Sequence, residues 1–550
     1  MTALLTDNLP LLAGAPNGIK KLRELILELA VRGKLVPQDT NDEPASELLK
    51  RIAEEKARSV AAGKKVKQQA DINDKEQPFS VPQGWSWVRL GSCLEMINGR
   101  AFKPTEWIGA GLPIVRIQNL NKPDAPFNYC DPDTVDDRHI IDTGTILISW
   151  SGTPGTSFGA FIWERGRAAL NQHIFSCSQV GDAFFDKFLK LAINTRLEEL
   201  IAKAHGGVGL QHVTKGKLEA LTLVLPPLAE QRRIVAKVDE LMALCDRLEA
   251  RQADADSAHA QLVQALLDSL TQARDAEDFA QSWQRLAEHF HTLFTTESSI
   301  DALKQTLLQL AVMGKLVPQA PSDEPASELL KRIAEEKARL MAGGQIKKQK
   351  KLLKDIGSAD QKFELPPGWE AARLSDVVNI LNGRAYKKEE LLDVGTPVLR
   401  VGNLFTSNHW YYSNLTLEED KYCNPGDLLF AWSASFGPFI WQGERSIYHY
   451  HIWKLDFYAQ DQFSKNYLYN FLLEQTQEIK AAGHGVSMVH MTKEKMEKLV
   501  VPVPPLAEQH RIVAKVDQLM ALCDQLKARL NQSRQVHEQL ANALVEQAVA

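Results

Sequence analysis

At 550 residues the chain has room for three or four domains, each with its own core. It is 44% hydrophobic and 24% charged, the composition of a globular protein rather than a disordered or fibrous one. A net charge of −5 excludes a generally basic surface, so any polyanion has to be met by local positive patches. No apolar run reaches the length of a membrane span. Residues 1–21 carry no basic stretch ahead of their apolar one, so a secretory signal is not expected and a cytoplasmic location is. The six cysteines lack Cys-x-x-Cys spacing, which fits reduced thiols.

In chain order, residues 18–32 show helical spacing and run into a turn, GKLVPQ, at 33–38. The stretch 42–58, DEPASELLKRIAEEKAR, predicts a helix starting near Pro44 with acidic residues in its first turn. A polar basic connector, 63–69, follows. From about 79 to 225 the texture changes. Short apolar runs at 112–117 and 145–150 alternate with Gly, Pro and Asn turns and predict strands, with a helix over 182–203. Pro226 and Pro227 then fix the entry to a long helix. From 228 to about 270 a heptad places Ile234, Leu241, Leu248, Ala255 and Leu262 in one seam position and Val238, Cys245, Gln252, His259 and Leu266 in the other. Residues 275–294 predict a helical or partly irregular link.

The chain then repeats itself. A helix is predicted over 299–313, GKLVPQ returns at 314–319, and DEPASELLKRIAEEKAR returns letter for letter at 323–339, followed by a basic stretch at 344–354. After a diverged insert, with a strand run at 397–401 and a helix over 464–482, come PPLAEQ (226–231 and 504–509), RIVAKVD (233–239 and 511–517) and LMALCD (241–246 and 519–524). The second heptad places Ile512, Leu519, Leu526, Ser533 and Leu540 against Val516, Cys523, Leu530, His537 and Leu544. A period of this length is a duplicated half-molecule and not a solenoid. The expected organisation is a helical frame (1–78), a first insert domain (79–225), a central long helix and link (226–298), a second frame (299–362), a second insert domain (363–503) and a final long helix (504–550).

The chain contains no nucleotide-binding glycine motif, no Walker loop, no zinc-spaced Cys/His cluster and no Asn- or Asp-Pro-Pro-aromatic tetrapeptide. GTPGTS at 152–157 reads as a turn, since the second insert shortens it to Ser-Ala-Ser at 433–435.

PPLAEQxRI leading into a long helix, twice, each time after a diverged domain, resembles the specificity (S) subunit of Type I restriction–modification enzymes. The resemblance implies a mixed α/β fold: two globular target-recognition domains joined by long antiparallel coiled-coil helices, with an internal pseudo-twofold repeat. It implies a non-catalytic DNA-recognition subunit. Its partners would be double-stranded DNA, two methyltransferase (M) subunits and two restriction/translocase (R) subunits. S-adenosylmethionine, ATP and magnesium are then expected on those partners and no cofactor on this chain. A free-standing DNA-modifying enzyme and a coiled-coil adaptor without a DNA role stand as alternatives. Two readers related by a pseudo-twofold fit two half-sites about one helical turn apart or a multiple of it, and inserts that differ predict half-sites that differ.

Candidate contacts follow from residue type. NGRAFK at 98–103 recurs as NGRAYK at 382–387, so Arg100, Lys103, Arg384, Lys387 and the adjoining Lys388 can reach phosphates, or form a strand turn with solvated charges. Arg116, Gln118 and Asn119 recur as Arg400, Gly402 and Asn403. On a strand, Arg116 and Gln118 share a face, with chemistry suited to guanine and adenine, although positions kept in both copies favour phosphate contact or structural pairing. Base reading is expected where the inserts differ, at Gln172 against Tyr450 or in the loops 121–133 and 407–412. Lys215, Lys217, Lys493 and Lys495 can hold a phosphate with nearby backbone amides, or Thr214 and Thr492 are plain N-caps. Recurrent Trp85/Trp369, Trp150/Trp432 and Trp163/Trp441 read as core anchors, and His173/His451 as core or interface histidines. Glu47, Lys50, Arg51 and Glu54, repeated as Glu328, Lys331, Arg332 and Glu335, offer one surface twice to identical partner subunits.

Overall fold

The computed structural model describes residues 9–549 apart from 64–68, 123, 151–157, 204–213, 275, 347–355, 358–362, 434–435 and 483–490. Most of the two basic connectors, the GTPGTS turn, most of its Ser-Ala-Ser counterpart and the glycine-bearing approaches to Thr214 and Thr492 lie outside the described residues. The chain forms two compact units, one of residues 1–254 with 534–550, the other of residues 255–533.

In the first unit, helix α1 (Gly18–Val31) buries Ile19, Leu22, Leu25, Ile26 and Leu29, a stripe at three- and four-residue spacing. The turn after it needs Gly33, where φ is +69° and an added Cβ would come within 2.4 Å of Pro82 Cγ. Helix α2 (Ala45–Ala61) buries only Ala45, Leu48 and Ile52, leaving most of its circumference to solvent. The insert domain then runs through β1 (Ser86–Arg89), β2 (Leu94–Asn98), β3 (Leu112–Val115), the short helix α3 (Ile117–Asn121), β4 (Asn128–Cys130), β5 (Ile140–Ile141), β6 (Ile146–Ser149) and β7 (Gly159–Ile162). It ends with β8 (Ala168–Leu170), β9 (Ile174–Gln179), α4 (Asp186–Lys203), α5 (Lys215–Glu219) and β10 (Thr222–Leu225). One antiparallel sheet has the order β2-β9-β6-β7; the other, β4-β3-β8-β5, contains a parallel β3–β8 pair; β1 and β10 pair antiparallel by themselves. The 44-residue helix α6 (Leu228–Thr271) leaves this unit after residue 254.

The second unit repeats the plan. After the link helix α7 (Ala276–Glu288) come α8 (Glu297–Val312), α9 (Ala326–Ala342), β11 (Glu370–Arg373), β12 (Val378–Asn382), β13 (Thr396–Leu399), α10 (Val401–Phe405), β14 (Tyr411–Ser413), β15 (Tyr422–Cys423) and β16 (Leu428–Ala431). Then follow β17 (Gly437–Ile440), β18 (Ser446–Tyr448), β19 (Ile452–Phe457), α11 (Lys465–Ala482), α12 (Lys493–Glu497), β20 (Val500–Val503) and α13 (Leu506–Val549). The sheets are β12-β19-β16-β17, β14-β13-β18-β15 with β13 parallel to β18, and the pair β11-β20.

The duplicated motifs are the joints of this frame. Buried Glu230 accepts from Gln38 Nε2 at 3.0 Å and Trp85 Nε1 at 2.8 Å, tying the start of α6 to the GKLVPQ turn and to the insert domain. Gln231, fully buried, accepts from the Phe185 amide at 2.7 Å and donates to the Ala183 carbonyl at 3.0 Å, holding the approach to α4. Arg233 forks onto Asp42 ahead of α2, at 3.2 and 2.6 Å. The second copy repeats three of these contacts: Gln319 to Glu508 at 3.1 Å, the Ser464 amide to Gln509 at 2.8 Å, and Arg511 to Asp323 at 2.6 Å. Burial raises the Glu508 carboxyl above its ordinary range. Lys315 of the second GKLVPQ donates to the Thr271 and Ala273 carbonyls at 2.8 and 3.0 Å, neutralising the C-terminal end of α6.

The heptad register expected along α6 fails past its middle. Gln252 and Ala255 are exposed and Leu262 is 53% exposed, whereas Val263, Leu267 and Leu270 are buried. α13 behaves alike, with Leu540 44% exposed and Ala541 fully buried. Residues 250–258 are exposed on every side, so no packing among the described residues there holds the helix to a 3.5-residue repeat. In a helix turning about 100° per residue, Leu262 falls about 60° to one side of Leu241 and Val263 about 40° to the other. The buried stripe therefore moves one residue along.

Candidate nucleic-acid interface

Because β3 and β8 run parallel, the residues that follow them emerge at the same edge of the first insert domain: Arg116 after β3, and Asn171, Gln172 and His173 after β8. The Asn171 amide donates to the Val115 carbonyl at 3.1 Å. The Asn98–Arg100 turn closes onto the same place, with Gly99 N–H donating to the Ile174 carbonyl at 3.0 Å and Arg100 N–H to the Leu170 carbonyl at 2.8 Å. An added Cβ on Gly99 would come within 2.1 Å of the Asn171 oxygen, which explains the glycine of the NGR motif. The second domain builds the same cradle from Gly383, Arg384 and the 448–451 turn. His449 N–H donates to Leu399 O at 2.9 Å, Arg384 N–H to Tyr448 O at 3.1 Å and Gly383 N–H to Ile452 O at 3.2 Å, while a Cβ on Gly383 would lie 2.3 Å from His449 O.

Around the cradle the candidate side chains divide into occupied and open. Arg100 is paired with Glu106 and lies over the Phe102 ring at 4.7 Å; Arg384 forks onto Glu390 at 3.0 and 2.7 Å and lies over Tyr386 at 5.3 Å. Both glutamates are held below the usual carboxylate range, Glu106 first by the Lys103 amide and then by Arg100, Glu390 first by Arg384. Lys103, Lys387 and Lys388 are exposed. Arg116 lies 5.8 Å from the centre of the exposed Trp107 ring, and Arg400 lies 5.3 Å from that of Tyr411.

The strand expected to carry Arg116 to Asn119 ends at Val115, and α3 takes over, as α10 does after Leu399. The reason is a side-chain cap. Asn119 Oδ1 accepts from the Arg116 amide at 3.0 Å, and its Nδ2 donates to the Ala125 and Pro126 carbonyls at 3.0 and 3.3 Å. Asn403 does the same with the Arg400 amide and the Ser407 and His409 carbonyls. Asn119 is buried and Gln118 is exposed on the short helix, so the two no longer share the geometry of a strand.

Lys215 Nζ donates to the Met96 carbonyl at 2.8 Å and Lys493 Nζ to that of Ile380 at 2.7 Å, each two residues before the Asn of the NGR turn. Thr214 and Thr492 cap α5 and α12 by accepting from the Lys217 and Lys495 amides at 3.4 and 3.3 Å, and those two lysine side chains are exposed. His173 packs edge-on to Trp150 at 5.4 Å and His451 to Trp432 at 5.1 Å, so these pairs brace the turn. Trp85, Trp369 and Trp163 are buried, as core anchors should be, and Trp441 is half-buried.

The two tips carry different residues. Gln172 is exposed, its amide nitrogen 3.2 Å from His173 Nε2; Tyr450 is 39% exposed in the same place. His449 replaces Asn171, and burial, then His451, then Arg400 push its imidazole down to about 4. Residue type alone did not single out Trp107 or His449. Their common signal is position, one following the NGR motif and the other flanking the tip.

On the frame, Glu47 pairs with Lys50 at 2.6 Å and Glu328 with Lys331 at 2.5 Å, while Arg51 and Arg332 reach back to Glu43 and Glu324 at 2.8 and 2.6 Å. Glu54 and Glu335 are exposed. In the second copy Arg332 also donates to Gln462 Oε1 at 2.6 Å and Lys337 to the Ser375 carbonyl at 2.8 Å.

The family described as Type I restriction modification DNA specificity domain matches residues 82–255 and again 366–533. Over 569 aligned residues the chain is 37% identical to the EcoAI specificity subunit of Escherichia coli, covering 97% of this chain and 94% of that protein. It is 35% identical to the EcoEI specificity subunit of Escherichia coli, with the same two coverages. A solved chain from a study of complex assembly and conformational transition of the type I R-M system superimposes with a TM-score of 0.51 at 19% identity, over 86% of this chain and 99% of that one, a likeness of fold.

Proposed function

The chain belongs to the Type I restriction–modification specificity-subunit family, and from that premise we propose that it reads a bipartite, asymmetric duplex site while partner subunits carry out methylation and cleavage. Each recognition domain takes one half-site. The observation that carries this reading is the pair of matching backbone cradles, each edged by arginine and exposed lysine, that present different residues at the tip. Arg116, Arg400 and the exposed lysines 103, 217, 387, 388 and 495 set the register on phosphates, and the tips discriminate bases. Positive charge gathered at these edges meets the need for local patches in a chain of net charge −5.

Two methyltransferase subunits and two restriction subunits assemble on the frame, and S-adenosylmethionine, ATP and magnesium belong to them. The letter-for-letter identity of α2 and α9 as far as Arg58 and Arg339, each helix with a narrow buried stripe and a wide exposed face, supports docking of identical partners. No helix among the described residues is long and apolar enough to cross a membrane, and the complex works in the cytoplasm beside DNA. Footprinting with the methyltransferase complex tests the reading. The expected result is two different short protected half-sites around an unspecified gap, with affinity falling steeply as salt rises. One continuous palindrome would overturn it.

A further inference from the structure

We infer that Gln172 and Tyr450 read the base at the corresponding position of their respective half-sites: Gln172 selects adenine through both polar groups of its amide, and Tyr450 selects thymine through ring contact with its methyl group. The inference rests on the DNA reading above and goes beyond it by assigning residues and bases. Three observations converge. The two tips hang on the same set of backbone hydrogen bonds, from the NGR turn and from the end of the parallel strand, so residues 172 and 450 occupy equivalent places. Among the polar candidates beside the tip, Asn119 and Asn403 are consumed as caps, and Arg100 and Arg384 are paired with glutamates. Gln172 and Tyr450 remain exposed, and they differ.

Their chemistry then decides. A glutamine amide offers one donor and one acceptor side by side, which matches adenine N7 and N6 in the major groove. A phenol has a single hydroxyl and cannot make that pair, but its ring provides the apolar contact that marks a thymine. His173 and His451 act as positioning residues. His173 lies against Trp150 and within 3.2 Å of the Gln172 amide; the His451 ring lies 3.9 Å from that of Tyr450 and is backed by Trp432.

The test is selection of bound duplexes from a randomised library by the full chain in its methyltransferase complex, wild type against Gln172→Ala, Gln172→Tyr and Tyr450→Ala. Gln172→Ala is expected to relax one adenine position of one half-site about tenfold or more, and Gln172→Tyr to turn that position toward thymine. Tyr450→Ala is expected to relax one position of the other half-site only. Unchanged preferences, or a uniform loss across a half-site in a folded complex, would overturn the assignment while leaving the bipartite reading intact. A wild-type complex that selects no bipartite site would overturn both. Tyr450→Phe separates the roles of ring and hydroxyl: thymine preference is expected to persist, and its loss would overturn the ring contact.

Discussion

Asn119 and Asn403 illustrate how a side chain with base-reading chemistry is diverted inward. Each stands four residues past a strand end, where an amide can accept from the backbone behind it and donate to the loop ahead. Asn119→Ala removes that acceptor and leaves two loop carbonyls short of a donor, so denaturant unfolding should show a loss of about 1–3 kcal/mol. Gln118→Ala, one residue away and exposed, should stay within about 0.5 kcal/mol. His449 gives a pH signature. Its imidazole titrates near 4 in the folded domain, against about 6.5 when unfolded, so the unfolded chain binds the extra proton between those values. Stability contributed by the neutral ring is complete above about pH 6.5 and is lost as pH falls toward 4. His449→Asn, which installs the first domain's residue, should flatten that part of the stability–pH curve of the second unit. An unchanged slope would remove His449 as its cause. The sequence showed that Asn119 and Asn403 recur, but not which hydrogen bonds they make, because those depend on where the backbone leaves the strand.

Among the elements, the long helices separate pattern from packing. Ile234, Leu241 and Cys245 lie on the predicted seam and are buried, as are Ile512 and Cys523. The same rule extended over the exposed middle selects Leu262 and Leu540, which face solvent. A seven-residue pattern specifies a buried stripe only where packing keeps the helix underwound, and residues 250–258 are exposed all round. Leu267→Ala should therefore cost about 2–5 kcal/mol and Leu262→Ala close to nothing, read by unfolding of the intact chain. Equal costs would restore the original register. The frame joints were legible as repeated words, PPLAEQ and GKLVPQ, yet their meaning was not. Only the fold brings Glu230 to Gln38 and Trp85, and Arg233 to Asp42, across spans of more than a hundred residues.

At the scale of the whole molecule, duplication explains why two repeated sheet-containing domains joined by a long helix were readable from sequence. Repeated words marked the frame, and the proposed recognition chemistry lies in the inserts, where repetition fades. Exchanging residues 79–225 for the matching segment of a relative should change one half-site and leave the other intact, as read from the methylated motif; a change in both would mean the readers are coupled. The frame also interleaves the chain. Ala541 is fully buried in the core of the first unit, Leu544, Val545 and Ala548 pack against that core, and Glu538 meets Lys21 of α1 at 3.1 Å. During synthesis these residues emerge about 280 positions after residue 254, a delay of roughly 15–55 s at roughly 5–20 residues per second. Until then the apolar surface they cover stays open on the ribosome, and the second unit can complete its own core in the meantime. The half of the protein translated first is the half that must wait.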